Sequence, residues 1–190
     1  MTTPVNIPNL LTWLRILLIP LIVGVFYVPD AWIGDSQKNQ VATFVFVLAA
    51  VTDWLDGYLA RKLNQQSAFG AFLDPVADKL MVAAALLVLV HLGRCHSIVA
   101  LIIIGREIAI SALREWMAQN GGSRSVAVNA LGKIKTIVQM IAIPLLLFND
   151  DFLGLFDARA LGDWFIWAAA AFTLVSMAYY LKAAAASLRA

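Results

Sequence analysis

Asp53-Trp54-Leu55-Asp56-Gly57-Tyr58-Leu59-Ala60-Arg61 and, beyond a short break, Gly70-Ala71-Phe72-Leu73-Asp74-Pro75-Val76-Ala77-Asp78 set four carboxylates inside stretches that are otherwise apolar. Acids three or four residues apart share one face of a helix. Asp53 therefore stands with Asp56, and Asp74 with Asp78. The break between the stretches contains Asn64-Gln65-Gln66-Ser67, a polar turn signal. Helices joined by so short a turn are expected to be antiparallel neighbours, which brings the two acidic pairs to the same end. Four carboxylates gathered there repel one another unless cations compensate them.

The chain around this stretch has the composition of a membrane protein. Its 190 residues are 62% hydrophobic and 14% charged, with a mean hydropathy of +0.81. Soluble domains carry about a quarter charged residues. One bilayer crossing takes roughly 20 apolar residues. Six apolar segments can be drawn, near residues 10–28, 41–60, 71–92, 98–116, 134–148 and 164–181. Arg106 and Glu107 interrupt the fourth. The expectation is an all-α polytopic membrane protein, six transmembrane helices in one bundle, forming a single domain over residues 1–190. The polar, proline-punctuated start from Thr2 to Leu10 reads as the lead-in to a retained helix rather than a signal peptide. A lone cysteine, Cys95, rules out an intramolecular disulfide, and a net charge of +2 does not suggest a nucleic-acid surface.

Loop charges orient the bundle. Six crossings put both termini on one side, which receives Arg61, Lys62, Arg114, Arg124, Lys133, Lys135, Lys182 and Arg189. The other side receives Lys38, Arg94 and Arg159, with Asp30, Asp35, Asp150, Asp151, Asp157 and Asp163. The basic side, with both termini, is expected to be cytoplasmic. Trp13 and Trp116 near that face, and Trp32 and Trp164 near the other, suit either interfacial belts or plain lipid-facing bulk. The remaining acids, Asp53, Asp56, Asp74, Asp78, Glu107 and Glu115, all fall on the cytoplasmic half of helices two to four. Intramembrane charge is rare and usually functional.

Oxygen ligands without nearby His or Cys favour a hard divalent ion, Mg²⁺ or Mn²⁺, and two such ions cancel four carboxylates. Gly57 and Ala60 leave room for a nucleotide against helix two, Arg61 offers a planar fork to a diphosphate, and Gly70 lets the turn pass close by. The plainer alternative is an ion-pair cluster at a helix end, with Arg61, Lys62 and Lys79 balancing the acids. His91, Cys95 and His96 lie in the far-side loop without an evident fourth metal ligand. Pro20 and Pro144 read as kinks, while Pro75 either opens helix three with Asp74 as its cap or interrupts a helix that begins nearer Ser67.

Asp53-x-x-Asp56-Gly57-x-x-Ala60-Arg61, eight residues, Gly70, three residues, Asp74, three residues, Asp78 resembles the signature of the CDP-alcohol phosphotransferase family at every defined position. The resemblance implies two metal ions on Asp53, Asp56, Asp74 and Asp78, with Asp78 doubling as the base for the attacking hydroxyl. It implies a CDP-lipid held by Asp56, Gly57, Ala60, Arg61 and Gly70, and a homodimer in the membrane. Spacing alone does not divide the labour among the four acids.

Further segments resemble the branch of that family that joins sn-glycerol 3-phosphate to the phosphatidyl group of CDP-diacylglycerol and releases CMP. They are Asn6 through Thr12 with Arg15 and Pro20, Phe69 through Lys79, Arg106-Glu107-Ile108, Ser111 through Trp116, and Gly132 through Thr136. A dianionic acceptor needs fixed cations. Arg15, Arg106, Arg114, Lys133 and Lys135 are the candidates, with Asn9 and Thr12 adding neutral hydrogen bonds. For Lys133 and Lys135 the alternative is plain topology charge or anionic-lipid contact. Glu107 and Arg114, seven apart on one face, are expected to pair. Sibling enzymes acting on inositol phosphate, phosphatidylglycerol or serine are the alternative acceptor readings. A cation transporter is the rival of another class, but it predicts acids at the bilayer midplane rather than at one edge.

Overall fold

The computed structural model describes residues 7–62, 68–119, 130–152, 154 and 156–187. The chain is all-α in character: α1 (Ile7–Gly24), a 3₁₀ turn (Val25–Tyr27), α2 (Asp35–Lys62), α3 (Ala68–His91), α4 (Ser97–Gln119), α5 (Ala130–Phe148) and α6 (Ala158–Ser187). Between α5 and α6, β1 (Asp151–Phe152) pairs antiparallel with β2 (Phe156–Asp157) in a small hairpin that the sequence reading treats as plain loop.

The apolar segments drawn from sequence all fall on these helices, and two helices begin about six residues earlier than expected. Local capping accounts for both. At the start of α2 the Gln37 side chain accepts from Gly34 N–H at 3.3 Å while Lys38 N–H bonds Gly34 O at 3.0 Å, half of a reciprocal cap. Asp35 in the first turn faces the positive end of the helix dipole. At the start of α6 the Asp157 carboxylate accepts from Ala160 N–H at 3.0 Å, an N-cap. Pro75 lies inside α3, so of the two readings open for it the helix beginning near Ser67 is the observed one. Pro20 and Pro144 likewise lie inside α1 and α5.

The α3–α4 turn closes with a Schellman motif. Arg94 N–H reaches Leu89 O at 2.8 Å and Gly93 N–H reaches Val90 O at 3.1 Å. Gly93 takes φ +66°, a conformation that disfavours a side chain. All three far-side cations serve structure here. Arg94 donates to Leu147 O at 2.9 Å at the end of α5, Arg159 donates to Asn149 Oδ1 at 2.9 Å, and the buried Lys38 ammonium is bonded to Asp30.

The helices pack in a closed cycle: α1 against α2, α2 against α5, α5 against α6, α6 against α4, α4 against α3, and α3 against α1. Ile22, Phe46, Met81, Leu86, Leu89, Ile103, Ile143, Leu146 and Ile166 form the centre of the core. Alpha-1 shows how one helix serves two solvents. Leu10, Leu14, Leu17 and Leu21 form an exposed apolar stripe, whereas Asn9, Thr12, Arg15 and Ile22 are buried. Trp13, Trp32, Trp116 and Trp164 are all exposed.

Three stretches, Asn9–Tyr27, Asp35–Leu59 and Ala158–Lys182, are long and apolar enough to cross a bilayer, and Ile134–Phe148 is a shorter apolar helix. At 24 and 23 residues α3 and α4 have the length to cross, but the acids and basic residues they carry hold them outside that class. The apolar helices are those of an integral membrane protein.

One neighbour relation differs from expectation. Despite their short connection, α2 and α3 touch each other little among the described residues, and α1 packs extensively on both. The reason is electrostatic. Direct apposition would set acid against acid, and α1 inserts a cation between them.

Candidate active site

That cation is Arg15. Its side chain is 0% exposed, and its guanidinium is bonded to Asp56 of α2 and Asp78 of α3, with Asp53 of α2 at 2.9 Å. One turn earlier on α1, the Thr12 hydroxyl donates to the Asp74 carboxylate at 2.6 Å. All four motif aspartates are therefore held by two residues of a third helix. A planar, permanently charged fork suits this, because its two terminal nitrogens can engage carboxylates on opposite sides.

The aspartates differ in burial. Asp56 is 3% exposed, whereas Asp53 and Asp78 are each 43% exposed. Asp53 and Asp78 line a cavity of about 300 Å³ whose other walls include Lys79 of α3, Glu107 of α4, and Thr136 and Gln139 of α5. The cavity thus opens from the aspartates toward α4 and α5.

Of the cations weighed as counter-charges to the acids, Lys62 lies over the Tyr58 ring, 5.5 Å from its centroid. Lys79 makes no ion pair or hydrogen bond among the described residues although it lines the cavity. Neither lysine is paired with the aspartates among the described residues, and the Arg61 side chain lies outside them. Three carboxylates converge on one guanidinium, and the fourth, that of Asp74, accepts from Thr12. Among the described residues no three Asp, Glu, His or Cys side chains are grouped so as to hold a metal ion; Asp53, Asp56 and Asp78 are engaged by Arg15. An oxygen-only donor set with this residual negative charge nonetheless fits hard divalent cations.

Lys135 of α5 is 1% exposed and bonded to Glu107 of α4. Burial to this degree sets aside the reading of Lys135 as plain topology charge. Glu107 Oε1 meets Lys135, with Arg106 at 3.6 Å; the expected Glu107–Arg114 pair involves a side chain outside the described residues. Arg106 is turned toward α6, where Nη2 donates to Ser176 Oγ at 3.4 Å and the guanidinium lies 5.4 Å from the centroid of the Tyr180 ring. It does not line the cavity.

Asn9 and Gly70 are buried and Gly57 is half-buried. Ala60 and Arg61 sit in α2, Arg114 in α4 and Lys133 in α5, but their side chains lie outside the described residues. At the opposite loop, His91 stacks on Tyr27 at 6.3 Å and His96 lies 6.4 Å from Trp167, so both rings pack against aromatics. Cys95 is buried.

Sequence reasoning missed Thr136 and Gln139 as site residues, and treated Lys79 only as a balancing charge. Thr136 and Gln139 are neutral side chains in an apolar run. Their one signal is that Gln139 stands four residues after Lys135, on the same helix face.

A sequence model described as CDP-alcohol phosphatidyltransferase matches residues 5–175. A protein of Escherichia coli (strain K12) named CDP-diacylglycerol–glycerol-3-phosphate 3-phosphatidyltransferase is 48% identical over 187 residues, covering 96% of this chain and 97% of the relative. A protein of the same name from Salmonella typhimurium is 48% identical over 183 residues, covering 94% of each. With the match running from the first helix into the last and taking in both acidic pairs, this chain belongs to the CDP-alcohol phosphatidyltransferase family.

Proposed function

We propose that the chain transfers the phosphatidyl group of CDP-diacylglycerol to sn-glycerol 3-phosphate, giving phosphatidylglycerophosphate and CMP. The observation that carries this reading is the convergence of the four motif aspartates, through Arg15 and Thr12, beside a cavity of about 300 Å³ with a lysine on its wall. Membership of the family and relatives of that name at 48% identity support the donor and the acceptor.

In this reading Asp53, Asp56, Asp74 and Asp78 hold divalent cations, Mg²⁺ or Mn²⁺. Bound there, such ions neutralise the diphosphate and stabilise the entering and leaving oxygens of an in-line displacement. Gly57, Ala60, Arg61 and Gly70 receive the CDP moiety. Asp78 lines the cavity and is only half-buried, which suits it to take the proton of the acceptor hydroxyl. That hydroxyl oxygen forms a bond to the lipid-side phosphorus as the bond from phosphorus to the CMP oxygen breaks.

The acceptor phosphate needs cations on the far wall. Lys135 is bonded to a cavity-lining glutamate and is assigned to that phosphate, with Arg114 and Lys133, which lie on the same two helices, as further candidates. Arg15 is assigned to the acids rather than to the acceptor. Six crossings, with both termini and the site on the cytoplasmic side of the inner membrane, accord with the loop charges. Purified protein, CDP-diacylglycerol and Mg²⁺ with a panel of acceptors test the assignment through CMP release. Turnover is expected with glycerol 3-phosphate and not with free glycerol or serine; turnover with serine in place of glycerol 3-phosphate overturns it.

A further inference from the structure

Gln139 of α5 is 3% exposed and lines the cavity beside the aspartates, yet its side-chain Oε1 has no hydrogen-bond partner among the described residues. Buried side-chain acceptors are nearly always satisfied, so an unmet one calls for a reason. Among the described residues three other buried atoms share this condition, Arg15 Nε, Asn39 Oδ1 and Arg106 Nε, but none belongs to a residue lining this cavity.

The chemistry of an amide oxygen narrows what can satisfy it. Oε1 accepts and cannot donate. A phosphate dianion and a carboxylate also only accept, so neither can be its partner. A hydroxyl can. The acceptor assigned above carries two hydroxyl groups, and the reacting one must surrender its proton to a carboxylate. The second hydroxyl, on the middle carbon, is left with a proton to donate. Asp78 lines one wall of the cavity and Gln139 another, so a three-carbon polyol can present one hydroxyl to each. Thr136, three residues before Gln139 in α5, adds a further polar group to that wall.

We propose that Gln139 recognises the non-reacting hydroxyl of the acceptor and so selects glycerol 3-phosphate over phosphorylated alcohols that lack it. The inference rests on the acceptor assignment and goes beyond it by naming the residue that reads the alcohol. Sites built to bond a hydroxyl reject the analogue without one, because their polar group is then stranded.

The test uses the full chain in lipid vesicles with CDP-diacylglycerol, comparing sn-glycerol 3-phosphate with 3-hydroxypropyl phosphate, which lacks only the middle hydroxyl. Wild type is expected to prefer glycerol 3-phosphate by roughly tenfold or more in kcat/KM. Gln139→Met, close in volume, is expected to bring that ratio near one by raising KM for glycerol 3-phosphate, with KM for CDP-diacylglycerol unchanged. A merely structural role would lower activity on both acceptors alike and keep the ratio, which overturns the inference. Gln139→Leu serves if the first variant does not accumulate; if neither does, a wild-type ratio near one overturns it and a large ratio supports it. Use of serine with neither phosphate turned over removes the acceptor assignment and this inference together, whereas a failure confined to the ratio leaves the assignment standing.

Discussion

The guanidinium of Arg15 is bonded to the carboxylate of Asp56 across 41 residues of sequence, and both side chains are buried. Each alone would be a charge stranded out of water. Together, with Asp53 and Asp78 on the same guanidinium, they hold α1, α2 and α3 at one end of the bundle.

Arg15→Ala should therefore lower the unfolding midpoint of the protein in detergent, by an amount corresponding to about 3–5 kcal/mol for a broken buried pair. Arg15→Lys, which keeps the charge but not the fork, should fall between. Added Mg²⁺ should raise the midpoint of Arg15→Ala more than that of wild type, since it supplies the missing counter-charge. An unchanged midpoint in Arg15→Ala contradicts the clamp.

Lys135 and Arg106 should separate by readout. Lys135→Met is expected to raise KM for glycerol 3-phosphate about tenfold or more while leaving KM for CDP-diacylglycerol unchanged. Arg106→Met removes a buried guanidinium packed on Ser176 and Tyr180, and should lower stability by about 1–3 kcal/mol with little effect on KM. Steady-state kinetics beside thermal unfolding check both. A large KM effect in Arg106→Met at unchanged stability would place that arginine in the acceptor site.

The limits of the sequence reading follow from distance along the chain. Acids at spacings of three and four, apolar runs and turn residues are local, so the helices and the four aspartates were readable. The clamp was not, because Arg15 bonds partners 41 and 63 residues away, and no local pattern says which helices adjoin. The same limit hid the bond between Glu107 and Lys135, 28 residues on and in another helix. Gln139 escaped because an amide in an apolar run becomes informative only once its burial and its unmet oxygen are seen.

Gly162 of α6 packs closely against Leu146 of α5. A Cβ there would lie 2.8 Å from Leu146 Cγ and 3.1 Å from Leu146 backbone N. Small residues allow such close approach of helices in membranes. Gly162→Ala should cost about 1–3 kcal/mol through overpacking, seen as a lower unfolding midpoint, with kcat retained at low temperature. A midpoint at or above wild type contradicts that packing.

Burial, with a smaller contribution from Asp163, pushes the Cys95 thiol from its ordinary value near 9 up to about 11. At pH 8 its thiolate fraction is then roughly a hundredfold below that of an ordinary thiol. Native protein should resist maleimide at pH 8 and label readily once unfolded, as mass spectrometry can show. Rapid labelling of the native form contradicts the burial. A silent Cys95 also leaves Ser36→Cys as the reporter in that variant, and an impermeant maleimide should reach it from outside intact cells if the termini are cytoplasmic.

Phosphatidyl transfer at the aspartate clamp is tested most directly by following CMP and the lipid product together in vesicles supplied with CDP-diacylglycerol, glycerol 3-phosphate and Mg²⁺. Equimolar CMP and a lipid bearing the acceptor's phosphate are predicted for wild type, with neither formed by Asp56→Asn. CMP released without that lipid, or undiminished transfer by Asp56→Asn, would contradict it.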